Sequence, residues 1–212
     1  MSGESYPWQS QFTRVSSSVV ALLLAAGSGI AQVDPGVDMI GIYLDEGATV
    51  HCADAPVGEQ VTAFLCLTNS TALAGLAGWE AAIEVAGDLT VLDWNLRAEA
   101  VNVSVPPVFT VGLAECLPWS PAIVALDFTL DVIGPDRSEL KVAPHPGHEV
   151  PPPCPLPLFA ACGGAGEVQT LGFSGGADPL TCEPHVCAVI NGECDVVGRS
   201  APTWDTVKSM FR

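Results

Sequence analysis

Two stretches of this 212-residue chain alternate apolar and polar residues with a period of two, and that period constrains the fold more than any other feature of the sequence. Side chains two apart share one face of a strand, whereas helical neighbours recur every 3.6 residues, so the pattern demands sheets. Trp79, Ala81, Ile83 and Val85 fall on one face, and Glu80, Ala82 and Glu84 on the other. Val124, Leu126, Phe128, Leu130 and Val132 likewise alternate with Ala125, Asp127, Thr129 and Asp131. Weaker strand signals cover residues 40–44, 61–68, 89–96, 100–103, 109–113, 139–142 and 168–173, divided by Gly, Pro, Asn and Asp clusters. Nine short strands at this spacing predict an all-β, antiparallel β-sandwich, a jelly roll being one of the arrangements open to it. Trp79, Trp94, Phe64 and Phe128 would fill the space between its inner faces.

The beginning of the chain has a different character. Residues 15–31, VSSSVVALLLAAGSGIA, have the layout of a secretory leader: Arg14 gives the positive flank, residues 19–26 the apolar stretch, and Gly29-Ile30-Ala31 the small residues before a cut. Cleavage is expected after Ala31. The apolar stretch falls short of the ~20 residues that a permanent membrane helix needs, and no later stretch is longer. The leader carries one acid, Glu4, and one base, Arg14, so the formal charge of −17 stays with the mature chain. Such a charge excludes nucleic acid, whose phosphates require Lys and Arg. With 49% hydrophobic residues the acid forms a coat on an apolar, folded body.

Export changes the meaning of the eight cysteines, Cys52, Cys66, Cys116, Cys154, Cys162, Cys182, Cys187 and Cys194. In an oxidising compartment an even number of cysteines predicts up to four disulfides, with 105 connectivities open to eight. Cys154 with Cys162, across a proline-rich loop, is the expected local pair. Five of the eight follow residue 150, where strand periodicity fades into Pro-Gly-rich sequence. A loop-rich region with a small core gains most from covalent staples. Cys182, His185, Cys187 and Cys194 also have a spacing that could hold zinc, but without paired C-x-x-C spacing, and in an exported chain, disulfides are favoured. His145 and His148 form a second histidine pair in a Pro-Gly turn. No cofactor is expected. Calcium is the ion the scattered carboxylates would suit, although no D-x-D-x-D-G loop gathers them.

Signatures of catalysis are missing from the sequence: there is no G-x-S-x-G, H-E-x-x-H, P-loop or G-x-G-x-x-G following a strand. Glu80 with Glu84, and Asp127 with Asp131, share a strand face but stand ~13 Å apart, beyond the ~5–9.5 Å of glycoside hydrolysis. The chain is therefore read as not an enzyme. Trp119, between Pro118 and Pro121, is the aromatic expected to be exposed, and it motivates the alternative of a carbohydrate-binding module with a glycan ligand. Asn69-Ser70-Thr71 and Asn102-Val103-Ser104 match the N-glycosylation pattern, which is common by chance.

The C-terminal tail adds a further element. Trp204, Val207 and Phe211 fall on one face of a short helix capped by Thr203, with Lys208 and Arg212 near its negative end. A helix this short needs a surface to dock on. Arg199, Lys208 and Arg212 are three of the seven basic residues in the chain, so a basic, aromatic tag follows an acidic body. The resulting organisation is a leader at 1–31, a sandwich at 32–145, a Pro/Gly/Cys-rich extension packed on it at 146–198, and an amphipathic tail at 199–212.

The runs GEQVTAFLCLTN, LAGWEAAIEVAGDLTVLDW and AIVALDFTLDVIG between residues 40 and 142 resemble the strand order of cohesin-type modules and related bacterial adhesion sandwiches. That resemblance covers about half the chain and implies a cohesin-like sandwich acting by protein contact. Cohesins bind dockerin modules; no dockerin repeat occurs here, and the cysteine-rich extension departs from the cohesin pattern. The same run, Cys187-Ala188-Val189-Ile190-Asn191-Gly192 and the terminal T-W-x-x-V-K-x-M-F-R are also similar to exported proteins of Gram-negative bacteria with Trp-x-x-[Ile/Val]-Lys-x-hydrophobic-aromatic-Arg tails. The expected function is a secreted, non-catalytic interaction or structural module at the cell surface or in an extracellular assembly. Its partner would be a protein or another copy of itself.

Overall fold

A computed structural model describes residues 36–147, 154–164, 167–178 and 181–194; the leader, the tail and the tail's expected helix lie outside the described residues. The described strands are β1 (Met39–Tyr43), β2 (Cys52–Ala53), β3 (Gln60–Thr68), β4 (Leu76–Ala86), β5 (Leu89–Leu96), β6 (Ala100–Asn102), β7 (Val108–Leu117), β8 (Ala122–Val132), β9 (Ser138–Ala143), β10 (Leu158–Ala161), β11 (Val168–Thr170), β12 (Gly172–Phe173) and β13 (Ala188–Ile190). They form two sheets. Sheet A runs β12-β1-β3-β8-β5, and sheet B runs β11-β10-β4-β9-β13-β2, with β7 on the other side of β4 and β6 beyond it. Among the described residues no helix is long and apolar enough to cross a membrane.

The inner faces carry the core that the alternation foretold: Trp79, Ala81 and Ile83 of β4 meet Ala63, Leu65 and Leu67 of β3 and Phe128, Leu130 and Val132 of β8 in one cluster. Trp94 stacks beside it, its ring centroid 4.9 Å from that of Phe128 and 5.2 Å from that of Phe109.

Several expectations are corrected. Opposite Leu65 and Cys66 the register of β8 jumps from Leu126 to Val124, so Ala125 is a bulge residue. One extra residue moves every side chain before it to the other face. Val124 therefore points away from the core, and Ile123 and Ala125 point into it. Phe64, expected in the core, joins Val124, Tyr43, Ala48 and Cys66 in a small second cluster on the outward side of sheet A. Residues 168–173 form two strands, not one. Fully buried Leu171 marks the crossing, with β11 beside β10 in sheet B and β12 beside β1 in sheet A. Nor is the sandwich wholly antiparallel: β12 with β1, and β13 with β2, pair in parallel. Both are pairs between a C-terminal strand and an N-terminal one, which a hairpin cannot make.

The disulfides fasten those late strands. Cys52 pairs with Cys194, Cys116 with Cys162 and Cys154 with Cys182. The expected pair of Cys154 with Cys162 does not form, because Cys162 follows β10, whose neighbour β4 also pairs with the Cys116-bearing β7. Cys66 and Cys187 are buried, reduced thiols.

A tight loop covers the second cluster. Asp45 accepts hydrogen bonds from the amides of Thr49 and Val50 at 2.8 and 2.6 Å and from the Thr49 hydroxyl at 2.7 Å. Partial burial works against its charge, but these bonds outweigh it and hold the Asp45 carboxyl below the usual range. Burial first, then the nearby Asp45 and Glu46 carboxylates, push the Cys66 thiol far up, which suppresses the reactive thiolate. A depressed carboxyl stabilises the fold above its unfolded value, ~3.9, and that contribution vanishes as pH falls through the folded value. Asp45→Asn is thus expected to lose about 1 kcal/mol at pH 7, the solvent-screened end of the scale for charged hydrogen bonds. The loss should shrink in urea titrations as the pH is taken below the unfolded carboxyl value of ~3.9. Cys66 should also become more reactive toward a disulfide reagent in the variant.

Candidate functional site

The outward face of sheet B is short of side chains at its middle. Residues opposite one another across strands form rows, and one row reads Val101 (β6), Gly112 (β7), Gly78 (β4), Ala160 (β10) and Val168 (β11). The next row along the strands holds Thr110, Glu80, Leu158 and Thr170. The two glycines and the alanine leave a trough of about 270 Å³, with Leu158 and Val168 along it. Val101 and Val168, at the row's two ends, are 64% and 58% exposed, so apolar surface continues past the trough in both directions.

The two glycines are not equivalent. A Cβ on Gly78 would meet the Val111 carbonyl oxygen at 2.7 Å, so backbone packing requires glycine there. A Cβ on Gly112 would meet nothing within 4 Å and would project into open space. Glycine inside a strand weakens it and occurs at bulges and where a ligand or another backbone comes close; here the register between β4 and β7 shifts between Leu76 and Gly78. Glu80, 7% exposed and on the same face as Glu84, and Thr110 are the polar residues lining the trough.

The electrostatics of the rest of the body bear on this face. All three of its cations meet carboxylates: Arg97 bridges Glu46 at 2.7 Å and Asp127 at 2.9 Å, Arg137 meets Glu139 at 3.0 Å, and Lys141 lies 4.0 Å from Glu139. A large excess of acid is left, and an incoming partner with basic groups would be favoured.

The residues singled out from sequence fall elsewhere. Trp119 is 44% exposed, with its indole N–H donating to the Ser70 carbonyl at 2.9 Å, and it is the one aromatic among the exposed large hydrophobic residues described. The zinc-like quartet is dispersed, since Cys182 and Cys194 lie in different disulfides and the Cys187 thiol donates to the Ser174 carbonyl at 3.4 Å. The one close grouping of metal-ligating side chains among the described residues is His51, Cys52 and Cys194, where both sulfurs belong to one disulfide. His145 lies 3.3 Å from the Ser104 hydroxyl, and His148 is outside the described residues. Of the carboxylates weighed for hydrolysis, Asp127 is bridged by Arg97 and Glu80 sits in the trough of the other sheet. Asn102 turns its side chain inward: its carbonyl accepts from the amides of Ser104 and Thr110, and its amide donates to Val108. Tail residues Trp204, Val207, Lys208, Phe211 and Arg212 lie outside the described residues.

Reasoning from sequence did not single out Gly78, Gly112, Leu158, Ala160 and Val168 as a site. The available signal was the pair of isolated glycines inside strand patterns, at residues 78 and 112. That they face one another depends on long-range pairing.

No family model and no curated protein matches the sequence. Among solved structures, the chain is similar to the sixth cohesin of scaffoldin B from Acetivibrio cellulolyticus, a structure in complex with a Cel5 dockerin mutant (TM-score 0.46, 9% identity, 74% of this chain and 100% of that one). It is similar to the cohesin module of a family 33 glycoside hydrolase from Clostridium perfringens (0.46, 13%, 73% and 97%). It is also similar to a type II cohesin domain from the Acetivibrio cellulolyticus cellulosome (0.46, 15%, 76% and 98%). The β-sandwich is read from the chain's own strand pairing in two sheets and the core between them.

Proposed function

We propose that this chain is an exported, non-catalytic module that binds a protein partner through the outward face of sheet B. The carrying observation is the row Gly112–Gly78–Ala160, which bears a single methyl group and is flanked by exposed valines. A strand face built to stay bare lets another backbone or an aromatic ring approach closely. The export leader and the three disulfides support an extracellular setting. The acidic excess favours a partner with basic groups at the rim.

Photo-cross-linking tests this reading. A benzophenone side chain replaces Val168 at the end of the row, or Thr62 on the outward face of sheet A, and each protein meets a recombinant dockerin and the extracellular proteins of the producing cells. One discrete adduct is expected from position 168 and none from position 62, with loss of the adduct when Gly112→Leu fills the trough. Equal adducts from both positions would refute the assignment of the face.

A further inference from the structure

The bridge between Cys52 and Cys194 has a third neighbour. A ring nitrogen of His51 and the two sulfurs all lie within 4.8 Å of one another. We infer that, when this disulfide is in its dithiol form, His51, Cys52 and Cys194 bind a zinc ion, which then ties β2 to β13 in place of the covalent bond. The ligand is a thiophilic divalent cation, and the oxidised bridge excludes it.

The donor set selects the metal. Two thiolates and an imidazole suit zinc, whereas calcium and magnesium take oxygen ligands. The thiolates cancel the two charges of the ion, so none is left over in a partly buried place. His51 and Cys52 are half-buried and Cys194 is exposed, so the ion, a reductant and a water for the fourth position all reach the group. Tetrahedral zinc, with Zn–S about 2.3 Å and Zn–N about 2.0 Å, holds its ligand atoms about 3.5–3.8 Å apart. Side-chain movements of about 1–2 Å separate the bridged arrangement from that one.

The backbone frame that presents the ligands does not depend on the bridge. Val189 donates its amide to the His51 carbonyl at 2.9 Å, and Asn191 donates its amide to the Ala53 carbonyl at 3.0 Å, on either side of the pair Val189 and Cys52. The Asn191 side chain extends the frame: its carbonyl accepts from the Ala55 amide at 2.7 Å, and its amide donates to the Ala55 carbonyl at 2.8 Å. These four bonds bias the two segments together when the sulfurs part. A metal held by both adds the tie that two such short strands lack.

Electrostatics favour a cation here. Exposed Asp54 and Glu193 adjoin the cluster in sequence, on a chain of formal charge −17. Arg137, which donates to the Glu193 carbonyl at 3.1 Å, is already met by Glu139 at 3.0 Å.

The two electrons come from a low-molecular-weight thiol, RSH. One RSH attacks the exposed Cys194 sulfur and a second resolves the mixed disulfide, leaving a thiol on Cys52, a thiol on Cys194, and RSSR. Zinc then displaces one proton from each thiol to water, and His51 binds through a neutral ring nitrogen.

The test uses the full mature chain reduced with a phosphine, which is oxidised to its oxide and, unlike a thiol, leaves no sulfur to compete for the metal. Cobalt(II), whose thiolate complexes are coloured, is the probe. One equivalent is expected to bind the reduced chain with thiolate-to-cobalt absorption that zinc abolishes, and the oxidised chain should give none. Reduced Cys52→Ser/Cys194→Ser should lack the absorption, and His51→Ala should weaken binding about tenfold or more. Because the phosphine opens the other two bridges as well, residue-resolved measurements accompany the titration. Zinc should slow alkylation of Cys52 and Cys194 about tenfold while leaving Cys116 and Cys154 unprotected, and should slow exchange of the Val189 and Asn191 amides by a similar factor. Equal binding by reduced Cys52→Ser/Cys194→Ser or by His51→Ala would overturn the inference. So would protection spread over all the cysteines, or a reduced chain that neither binds cobalt nor is protected by zinc.

Discussion

Cys52→Ser/Cys194→Ser is expected to lose about 2–5 kcal/mol and to loosen the C-terminal strands from sheet B before the rest of the sandwich opens. The bridge closes a sequence separation of 142 residues, the longest of the three. In the chain-entropy account such a loop restrains the unfolded state by up to about 5 kcal/mol, and native strain and residual structure reduce the figure actually obtained. Position adds to length. β2 has two residues and β13 three, and each is a partner of the other. Neither strand is long enough to hold itself, so the covalent tie substitutes for ladder hydrogen bonds that a longer edge would supply. Removing both cysteines avoids leaving a lone thiol. Chemical denaturation gives the loss, and amide exchange locates it: faster exchange should concentrate in β13 and adjoining β9, leaving β3 and β8 protected until global unfolding.

Phe128→Ala is expected to cost about 3–5 kcal/mol, the range for emptying a fully buried aromatic site. Phe128 is fully buried on β8, which pairs with β3 on one side and β5 on the other. Its ring lies 4.9 Å from that of Trp94, which in turn reaches Phe109 of the facing sheet at 5.2 Å. The cavity would open where the two sheets are joined, and the surrounding strands cannot collapse into it without breaking ladders. Urea titration followed by tryptophan fluorescence gives the value, and the outward-facing Asp131→Ala on the same strand should stay within about 0.5 kcal/mol. Comparable losses for the two variants would contradict the assignment of faces after the bulge.

These two positions differ in how plainly the sequence announces them. Phe128 belongs to a five-fold alternation, and alternation is a local property, so its inward direction is legible without any structure. At Val124 the same reading fails, because a one-residue bulge leaves no mark in the pattern it interrupts. The late strands fail for a different reason. Leu158–Ala161 and Ala188–Ile190 are short apolar runs with no period, and Cys52–Ala53 is only two residues. Their strand character comes from partners far off in the chain, β4 for one and β9 with β2 for the other. The bare trough is harder still. Each of Gly78 and Gly112 reads as a weak point in its own strand, and only the register that places them opposite one another turns two weak points into a surface.

The outward face of sheet B, with its glycine floor, is proposed to receive a partner protein. The most direct test is calorimetric affinity for the partner recovered by cross-linking, compared between the native chain and Gly112→Leu. The Gly112 Cβ direction is open, and leucine suits a strand better than glycine, so the variant should keep its melting temperature. A loss of roughly tenfold or more in affinity is expected, with the fold unchanged. Unchanged affinity in a folded Gly112→Leu protein would contradict it.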